Sequence, residues 1–77
     1  MENQVADVTL HIDQEISADE MEKLLGAFNQ REGVIKIQTN PEKKHLMVIK
    51  YNPKEISSKD LVTIPRYLGL RAELIGF

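Results

Sequence analysis

The spacing of hydrophobic residues along the chain changes period several times, and each change predicts the start of a new element. Val8, Leu10 and Ile12 alternate with polar residues, a period of two that indicates a strand with one buried face. The first strand is therefore predicted over residues 6–12.

A helical stripe follows this strand. From Met21 onward, hydrophobic residues recur at i, i+3, i+4 and i+7, which is typical of a helix with one apolar face. Ser17 and Glu20 have the spacing of a capping box, in which each side chain bonds the backbone amide of the other residue. Gly33 stands where a left-handed cap would end the helix. These signals predict a helix over residues 18–31.

The second half of the chain shows the same alternation of strand and helix signals. The elements predicted there are strands over residues 34–39 and 45–51 joined by a hairpin loop over 40–44, a helix opened by a Ser57-x-x-Asp60 cap and running to Gly69, and a last strand over 70–75 that ends close to Phe77.

Pro65 breaks the pattern of the second helix, because it lies inside the helical stripe. A proline has no amide hydrogen, so the bond to the Leu61 carbonyl is lost, at a cost of about 3 kcal/mol in a helix interior. We therefore expect the helix to end early, near Thr63 or Ile64, and to be followed by a looser turn; the alternative is a functional kink at Pro65.

The order β-α-β-β-α-β predicts an α+β fold of the ferredoxin-like type, a four-stranded antiparallel sheet with both helices on one face. Residues 1–77 are expected to form a single domain, with the first and third strands as neighbours at the sheet centre. The predicted core consists of Val8, Leu10, Ile12, Met21, Leu24, Leu25, Phe28, Val34, Ile37, Met47, Ile49, Tyr51, Leu61, Ile64, Leu68, Leu70, Ala72 and Leu74.

Composition and charge exclude several classes of protein. Ten Lys and Arg against twelve Asp and Glu give a net charge of −2, which does not suit a nucleic-acid binder built on a basic face. The chain has no cysteine, and therefore no disulfide, zinc ribbon or thiol nucleophile. No apolar run approaches the roughly 20 residues of a spanning helix, and no signal-peptide pattern is present. We expect a soluble, cytoplasmic protein without membrane contact.

Catalytic motifs are also missing from the sequence. It has neither a glycine-rich phosphate loop nor a recognisable Ser, His and carboxylate set. Asp13 and Glu15 would repel the phosphate that acylphosphatase-like chemistry needs after the first strand. The two Tyr and two Phe are mostly assigned to the core or the chain ends, which disfavours stacking of RNA bases on the sheet. We predict that the protein is not an enzyme.

Four short segments keep a common, ungapped spacing: Val8-Thr9-Leu10-His11-Ile12, Gly33-Val34, Tyr51-Asn52-Pro53 and Gly69-Leu70-Arg71-Ala72. Together they resemble the first strand, the Gly-Val, the Tyr-Asp-Pro and the Gly-Tyr-x-Ala of the heavy-metal-associated domain, found in copper chaperones and metal-pumping ATPases. The resemblance covers nearly the whole chain and implies that family's fold.

The family binds Cu(I) at a Met-x-Cys-x-x-Cys loop between its first strand and first helix. Without gaps, the Met position falls on Glu15 and the two Cys positions fall on Ser17 and Glu20. Oxygen side chains do not replace the soft thiolates that suit Cu(I). The resemblance therefore implies a degenerate member that lacks the Cu(I) site, with the loop used for helix capping.

Two groups of side chains are candidates for weak binding of a divalent metal ion: the donors around the loop after the first strand, and the two histidines. Oxygen and imidazole donors lie near the loop at Asp13, Glu15, Ser17, Glu20 and His11, a set that suits hard or borderline ions. His11 and His45 each alternate with core residues, and we expect two solvated side chains on the open sheet rather than a pair of ligands. No other cofactor is expected.

The uncovered sheet face is the predicted contact surface, because Leu46 and Val48 lie in mid-sheet among polar neighbours, with His11 and Ile75 beside them. The side chains predicted on this face are Thr9, His11, Lys36, Gln38, Leu46, Val48, Arg71, Glu73 and Ile75. Edge strands near residues 35–39 and 70–75 offer a second route, by pairing with a strand of another chain. The expected partner is another protein or a second copy of this chain.

These features predict a non-catalytic module of a metal-transport or metal-response system that acts by protein contact. One alternative is metal binding through carboxylate and His ligands in the loop after the first strand. The other is a dimeric regulatory module that senses a small molecule, of the amino-acid-binding type.

Overall fold

The computed structural model describes residues 4–75 and has the predicted order of elements. These are β1 (Ala6–Ile12), α1 (Ala18–Asn29), β2 (Val34–Asn40), β3 (Lys43–Tyr51), α2 (Ser58–Tyr67) and β4 (Ala72–Ile75). The strands form one antiparallel sheet in the order β2-β3-β1-β4, which places β1 and β3 at its centre. The predicted ferredoxin-like α+β fold is confirmed. The predicted strand end near Phe77 lies outside the described residues.

The core lies on one face of the sheet, where alternate residues of the two central strands are buried. Val8 is paired with Ile49 and Leu10 with Met47, and each of the four is at most 1% exposed. The two helices cover this layer, and Leu24 of α1 and Leu61 of α2 are fully buried against it. The buried hydrophobic residues are Val8, Leu10, Ile12, Leu24, Phe28, Met47, Ile49, Tyr51, Ile56, Leu61, Ile64, Leu70 and Ala72.

One predicted core position is wrong, and five more are only partly buried, all but one of them packed against the core. Leu68 is 41% exposed, because it caps the C-terminus of α2 and lies beyond the helical face that its spacing suggested. Five others are only half-buried: Met21, Leu25, Val34, Ile37 and Leu74. Two of these lie on β2, an edge strand in which no residue is fully buried.

Ile56 is a core residue that the sequence pattern did not predict. It directly precedes the N-cap Ser57 of α2, and Leu61 is the fourth residue of that helix; both are buried. This is the arrangement of a hydrophobic staple. Ile16 and Met21 have the same positions at α1 and are both partly buried against the core. Each helix therefore begins with a capping box and a staple.

The end of α1 and the role of Gly33 differ from the prediction. The helix ends at Asn29 with Gln30 as its C-cap, and the Arg31 amide donates to the Phe28 carbonyl in a tight final turn. Gly33 has φ of +97°, but it lies too far beyond the helix to be its cap. It instead turns the chain into β2, where its carbonyl accepts from the Asn52 amide at 2.7 Å.

The predicted early end of α2 is wrong, because the helix continues through Pro65 to Tyr67. Pro65 lies in the last turn of α2, where few helical hydrogen bonds follow it. The loss of the bond to the Leu61 carbonyl therefore costs less there than in the helix interior. The amides of Gly69 and Leu70 donate to the carbonyls of Arg66 and Pro65, and Gly69 has φ of +80°. This pattern is a Schellman cap, which compensates for the missing bond.

Two connections differ in length from the prediction: the hairpin turn between β2 and β3 is shorter, and the segment between α2 and β4 is longer. The hairpin turn between β2 and β3 is only Pro41-Glu42, because the Asn40 side chain accepts from the Glu42 amide at 2.9 Å and closes the turn locally. The last strand starts at Ala72 rather than at residue 70, since the Leu70 amide is used in the cap of α2. Within residues 4–75, no helix is long and apolar enough to span a lipid bilayer.

Candidate functional site

The sheet face opposite the core brings together the four side chains predicted as a contact surface. Antiparallel pairing places His11 opposite Leu46, and Thr9 opposite both Val48 and Ile75. Leu46 and Val48 are half-buried, and Ile75 is 40% exposed. Leu46 and Val48 on β3 and Ile75 on β4 are the apolar members of this face, and Thr9 and His11 of β1 lie between them. We call these five residues the open-face strip.

Charged residues border the open-face strip at both ends. At one end Lys50 lies opposite Asp7 on β1 and opposite Lys36 on β2. At the other end the His11 Nδ1 lies 3.4 Å from Glu73 Oε1. An apolar centre with a polar rim is the usual composition of a protein contact surface.

Arg71 was predicted on this face but has a different role. It lies before β4, and its guanidinium donates to the Asp13 carbonyl at 3.2 Å while its amide donates to Gln14 Oε1 at 2.9 Å. The Asp13 amide in turn donates to the Arg71 carbonyl at 2.7 Å. Arg71 therefore fastens the loop between β1 and α1 to the segment before β4.

The loop between β1 and α1 ends in the predicted capping box. The Ser17 amide donates to Glu20 Oε1 at 3.0 Å, and the Glu20 amide donates to Ser17 Oγ at 3.1 Å. The pKa of Glu20 is lowered, chiefly by the hydrogen bond from the Ser17 backbone. The Ser17 side chain and the charge of Lys23 lower it further. Ser17 Oγ and Glu20 Oε1 are thus both engaged in the capping box at the start of α1.

The remaining donors predicted around this loop are only partly brought together. Glu15 and His45 line one shallow cavity with Ile16 and Lys44. Across residues 4–75, however, no three His, Asp or Glu side chains converge in a way that would hold a metal ion. Weak metal binding by positions 13, 15, 17 and 20 with His11 therefore stays a prediction.

The two histidines are accessible to solvent, and each ring also has a contact within the protein. His45 Nδ1 lies 3.1 Å from the Ile12 carbonyl oxygen, and His11 pairs with Glu73. Their ring centroids are 6.4 Å apart. Sequence reasoning placed His11 and Glu73 on one face but did not pair them, although the β1–β4 register sets these two residues directly opposite each other. The contact of His45 with the Ile12 carbonyl joins residues 33 positions apart, so no local sequence pattern predicts it.

The edges of the sheet are β2 and β4, as predicted. The pairing of β2 with β3 has register shifts between Val34 and Lys36 and between Thr39 and Asn40. Bulges and a lysine on an edge strand are features that oppose pairing with a further strand. Ile35, which is 55% exposed, is the apolar exception on this edge.

Comparison with known proteins identifies the fold. Neither a family model nor a curated protein matches the chain. Solved structures do match, among them the N-terminal domain of a potential copper-translocating P-type ATPase from Bacillus subtilis in the Cu(I)-loaded state (26% identity, 95% of this chain and 90% of that chain, TM-score 0.83). Oxidized MerP from Ralstonia metallidurans matches at 20% identity over 95% and 100% of the two chains, with a TM-score of 0.80. A putative copper-ion-binding protein from Bacillus anthracis matches at 12% identity over 94% and 100%, with a TM-score of 0.81. The fold is that of heavy-metal-associated domains.

Proposed function

We propose that residues 1–77 form one non-catalytic, cytoplasmic domain that acts by protein contact as an accessory of a metal-transport or metal-response system. In this proposal, the domain keeps the heavy-metal-associated fold and has lost that family's thiolate site. The observation that carries it is the capping box, because Ser17 and Glu20 stand at the two Cys positions and bond each other's backbone. The metal-transport setting is supported by the copper-translocating ATPase among the structures of the same fold.

Affinity for Cu(I) tests the lost thiolate site. We expect the native chain to give up Cu(I) to a competing chelator, since its loop offers only oxygen donors to a soft ion. The variant Ser17→Cys/Glu20→Cys puts two thiolates at the family's spacing and should retain the ion. Ser57→Cys/Asp60→Cys is the matched control, because those residues form the same box at α2.

Two results would contradict the lost site. One is stoichiometric Cu(I) held by the native chain against the chelator. The other is equal retention by the two double-cysteine variants, which would mean that the loop between β1 and α1 has no special capacity for the ion.

The open-face strip is the proposed contact surface, and a metal-binding domain of a P-type ATPase from the same cell is the proposed partner. Leu46 and Val48 supply the apolar centre, while Lys36, Lys50 and Glu73 supply charges of both signs at the rim. Such a strip suits a folded surface with an apolar centre better than a highly charged ligand.

Titration of the isotopically labelled chain with that purified domain tests the contact. We expect amide shifts to concentrate on β1 and β3, and the variant Leu46→Glu/Val48→Glu to abolish them. Leu68→Glu is the control for an added carboxylate, since it puts one such charge on an exposed leucine at the C-cap of α2. Shifts that survive the double change, or that vanish with Leu68→Glu, would refute this surface.

Sedimentation of the chain alone separates the proposal from the small-molecule-sensing alternative. A monomer at micromolar concentration is expected, because a surface for transient contact with a different protein does not require the roughly 800 Å² per partner that a stable interface buries. A stable dimer would instead favour the regulatory alternative and would contradict the proposed mode of action.

A further inference from the structure

Two imidazoles meet where the central strands end. His11 is the penultimate residue of β1, and His45 lies near the start of its neighbour β3. Their ring centroids are 6.4 Å apart, and their planes are inclined by 47°. The His11 side chain is 33% exposed and His45 is an exposed residue, so a dissolved ion has access to both rings.

Both rings use the same nitrogen for their contacts within the protein. His45 Nδ1 lies 3.1 Å from the Ile12 carbonyl oxygen, and His11 Nδ1 lies 3.4 Å from Glu73 Oε1. A carbonyl oxygen accepts but does not donate, so His45 Nδ1 must carry the proton of its contact. The Glu73 carboxylate beside His11 Nδ1 favours the proton on that nitrogen as well. In a neutral ring this leaves the lone pair on Nε2.

That tautomer is the one in which histidine binds metals through Nε2. Metal-ligating histidines almost always donate their other ring N–H to a carboxylate, a backbone carbonyl or water, which fixes the ring and raises its basicity. Here one ring has the carboxylate and the other has the carbonyl. Since a Zn–N bond is about 2.0–2.1 Å, two rings that share one ion have centroids about 5–6 Å apart, close to the 6.4 Å found here.

We propose that His11 and His45 bind one divalent transition-metal ion of the zinc type through their Nε2 atoms. Glu73 and the Ile12 carbonyl orient the two rings, and water fills the remaining coordination positions. The site lies on the strands rather than in the capped loop, and it does not rest on the proposed contact function. The native chain holds this ion with no contribution from sulfur.

The chemistry of the two ligands sets the selectivity and the strength of the site. Imidazole suits Zn²⁺, Cu²⁺ and Ni²⁺, whereas Ca²⁺ and Mg²⁺ take oxygen ligands. Glu73 adds a negative charge beside His11, while Lys44 and Arg71 add positive charge at the same end of the sheet. With two protein ligands, the ion is expected to exchange readily rather than to be held as in a closed four-ligand site.

Titration with Zn²⁺ alone tests the site, on the full chain without a polyhistidine tag. Nitrogen-15 spectra of the imidazoles should show one ion per chain, with both Nε2 resonances shifted and both Nδ1 atoms still protonated. Ca²⁺ at the same concentration should leave the imidazole resonances in place. No shift of either ring at millimolar Zn²⁺, or a shift centred on Nδ1, would overturn the proposal.

Single substitutions test whether the rings act as a pair. His11→Gln and His45→Gln should each lower the affinity for Zn²⁺ at least tenfold and remove the shift of the remaining ring. Glu73→Ala removes the carboxylate beside His11 and should lower affinity about tenfold, the low end of the range for such orienting groups. Asp19→Asn, on the exposed start of α1, is the matched control and should bind as the native chain does.

The same variants separate this site from one in the loop. Unchanged affinity in either His variant, or a loss of affinity in Asp19→Asn comparable to that in His11→Gln, would contradict the two-histidine site. Neither result depends on Cu(I) retention or on partner binding, so the outcome is distinct from that of the experiments on the proposed function.

Discussion

Glycines show how a single residue acts differently in each local setting. Gly33 has φ of +97°, and a Cβ built on it would lie 2.7 Å from Ile56 Cγ2 and 2.9 Å from Glu55 Cβ. Gly69 has φ of +80° but nothing within 4 Å of such a Cβ. Gly26 lies in α1 with open space around it. The conformation and the space available can therefore be tested separately.

Alanine at these three positions should give a graded series of unfolding free energies. Gly26→Ala should stabilise by about 0.5–1 kcal/mol, since glycine is a poor helix residue. Gly69→Ala should cost about 1–2 kcal/mol, the penalty of the left-handed conformation. Gly33→Ala should cost more than Gly69→Ala, because the added methyl also meets Ile56.

Urea unfolding of the three variants measures this series. Equal losses for Gly33→Ala and Gly69→Ala would show that the segment around Ile56 moves aside, and would contradict the close approach as a constraint on the fold.

At the level of elements, the helices are defined by their ends. Both begin with a Ser capping box, at Ser17 and Ser57, and each box has bonds in both directions. The end of α2 is closed by the Schellman turn at Gly69, which is why the helix extends past Pro65. Local hydrogen bonds at the termini thus outweigh the unfavourable residue inside the helix.

The capping box predicts how stability depends on pH. The pKa of Glu20 is lower in the folded chain because its carboxylate accepts from Ser17. The unfolded state therefore binds more protons, and stability rises with pH in this range. The contribution is complete above the unfolded value of about 4.3 and is lost as the pH falls through the folded value.

Denaturant unfolding between about pH 3 and about pH 6 measures this effect. The stability of Glu20→Gln, which does not titrate, should fall less than that of the native chain as the pH is lowered. In Ser17→Ala the hydroxyl that helps to lower the pKa of Glu20 is absent while the Ser17 amide still donates to the carboxylate, so the pH effect should be intermediate. Parallel curves for the native chain and Glu20→Gln would contradict this account of the box.

At the scale of the whole molecule, one apolar layer between sheet and helices holds the fold together. The chain has 77 residues, and at the usual stability per residue the folded state is favoured by only about 4–12 kcal/mol. Each fully buried side chain is therefore a large share of the total. The open-face strip lies on the other side of the sheet and is available for contacts.

Two leucines with the same helical spacing signal should differ sharply when truncated. Leu24→Ala should lower the free energy of unfolding by about 2–5 kcal/mol, because Leu24 is fully buried in the core. Leu68→Ala should change it by less than about 0.5 kcal/mol, because Leu68 is an exposed helix cap. Thermal unfolding of both variants measures the difference, and a Leu24→Ala variant as stable as the native chain would refute the core assignment.

The sequence alone determined the order of the elements, both capping boxes, the central pair of strands and most of the core. These features depend on residues within about four positions of each other, or on a period that any buried strand or helix imposes. It also located the open-face strip, since alternation along β1 and β3 fixes which side chains share a face.

Only the tertiary structure decided the contacts between residues far apart in the chain. The pairing of His45 with the Ile12 carbonyl spans 33 positions, and the bond of Arg71 to the Asp13 carbonyl spans 58. The approach of Ile56 to Gly33 and the exposure of Leu68 likewise depend on how the helices are set on the sheet. Such contacts follow from the packing of finished elements, and no local pattern of residues encodes them.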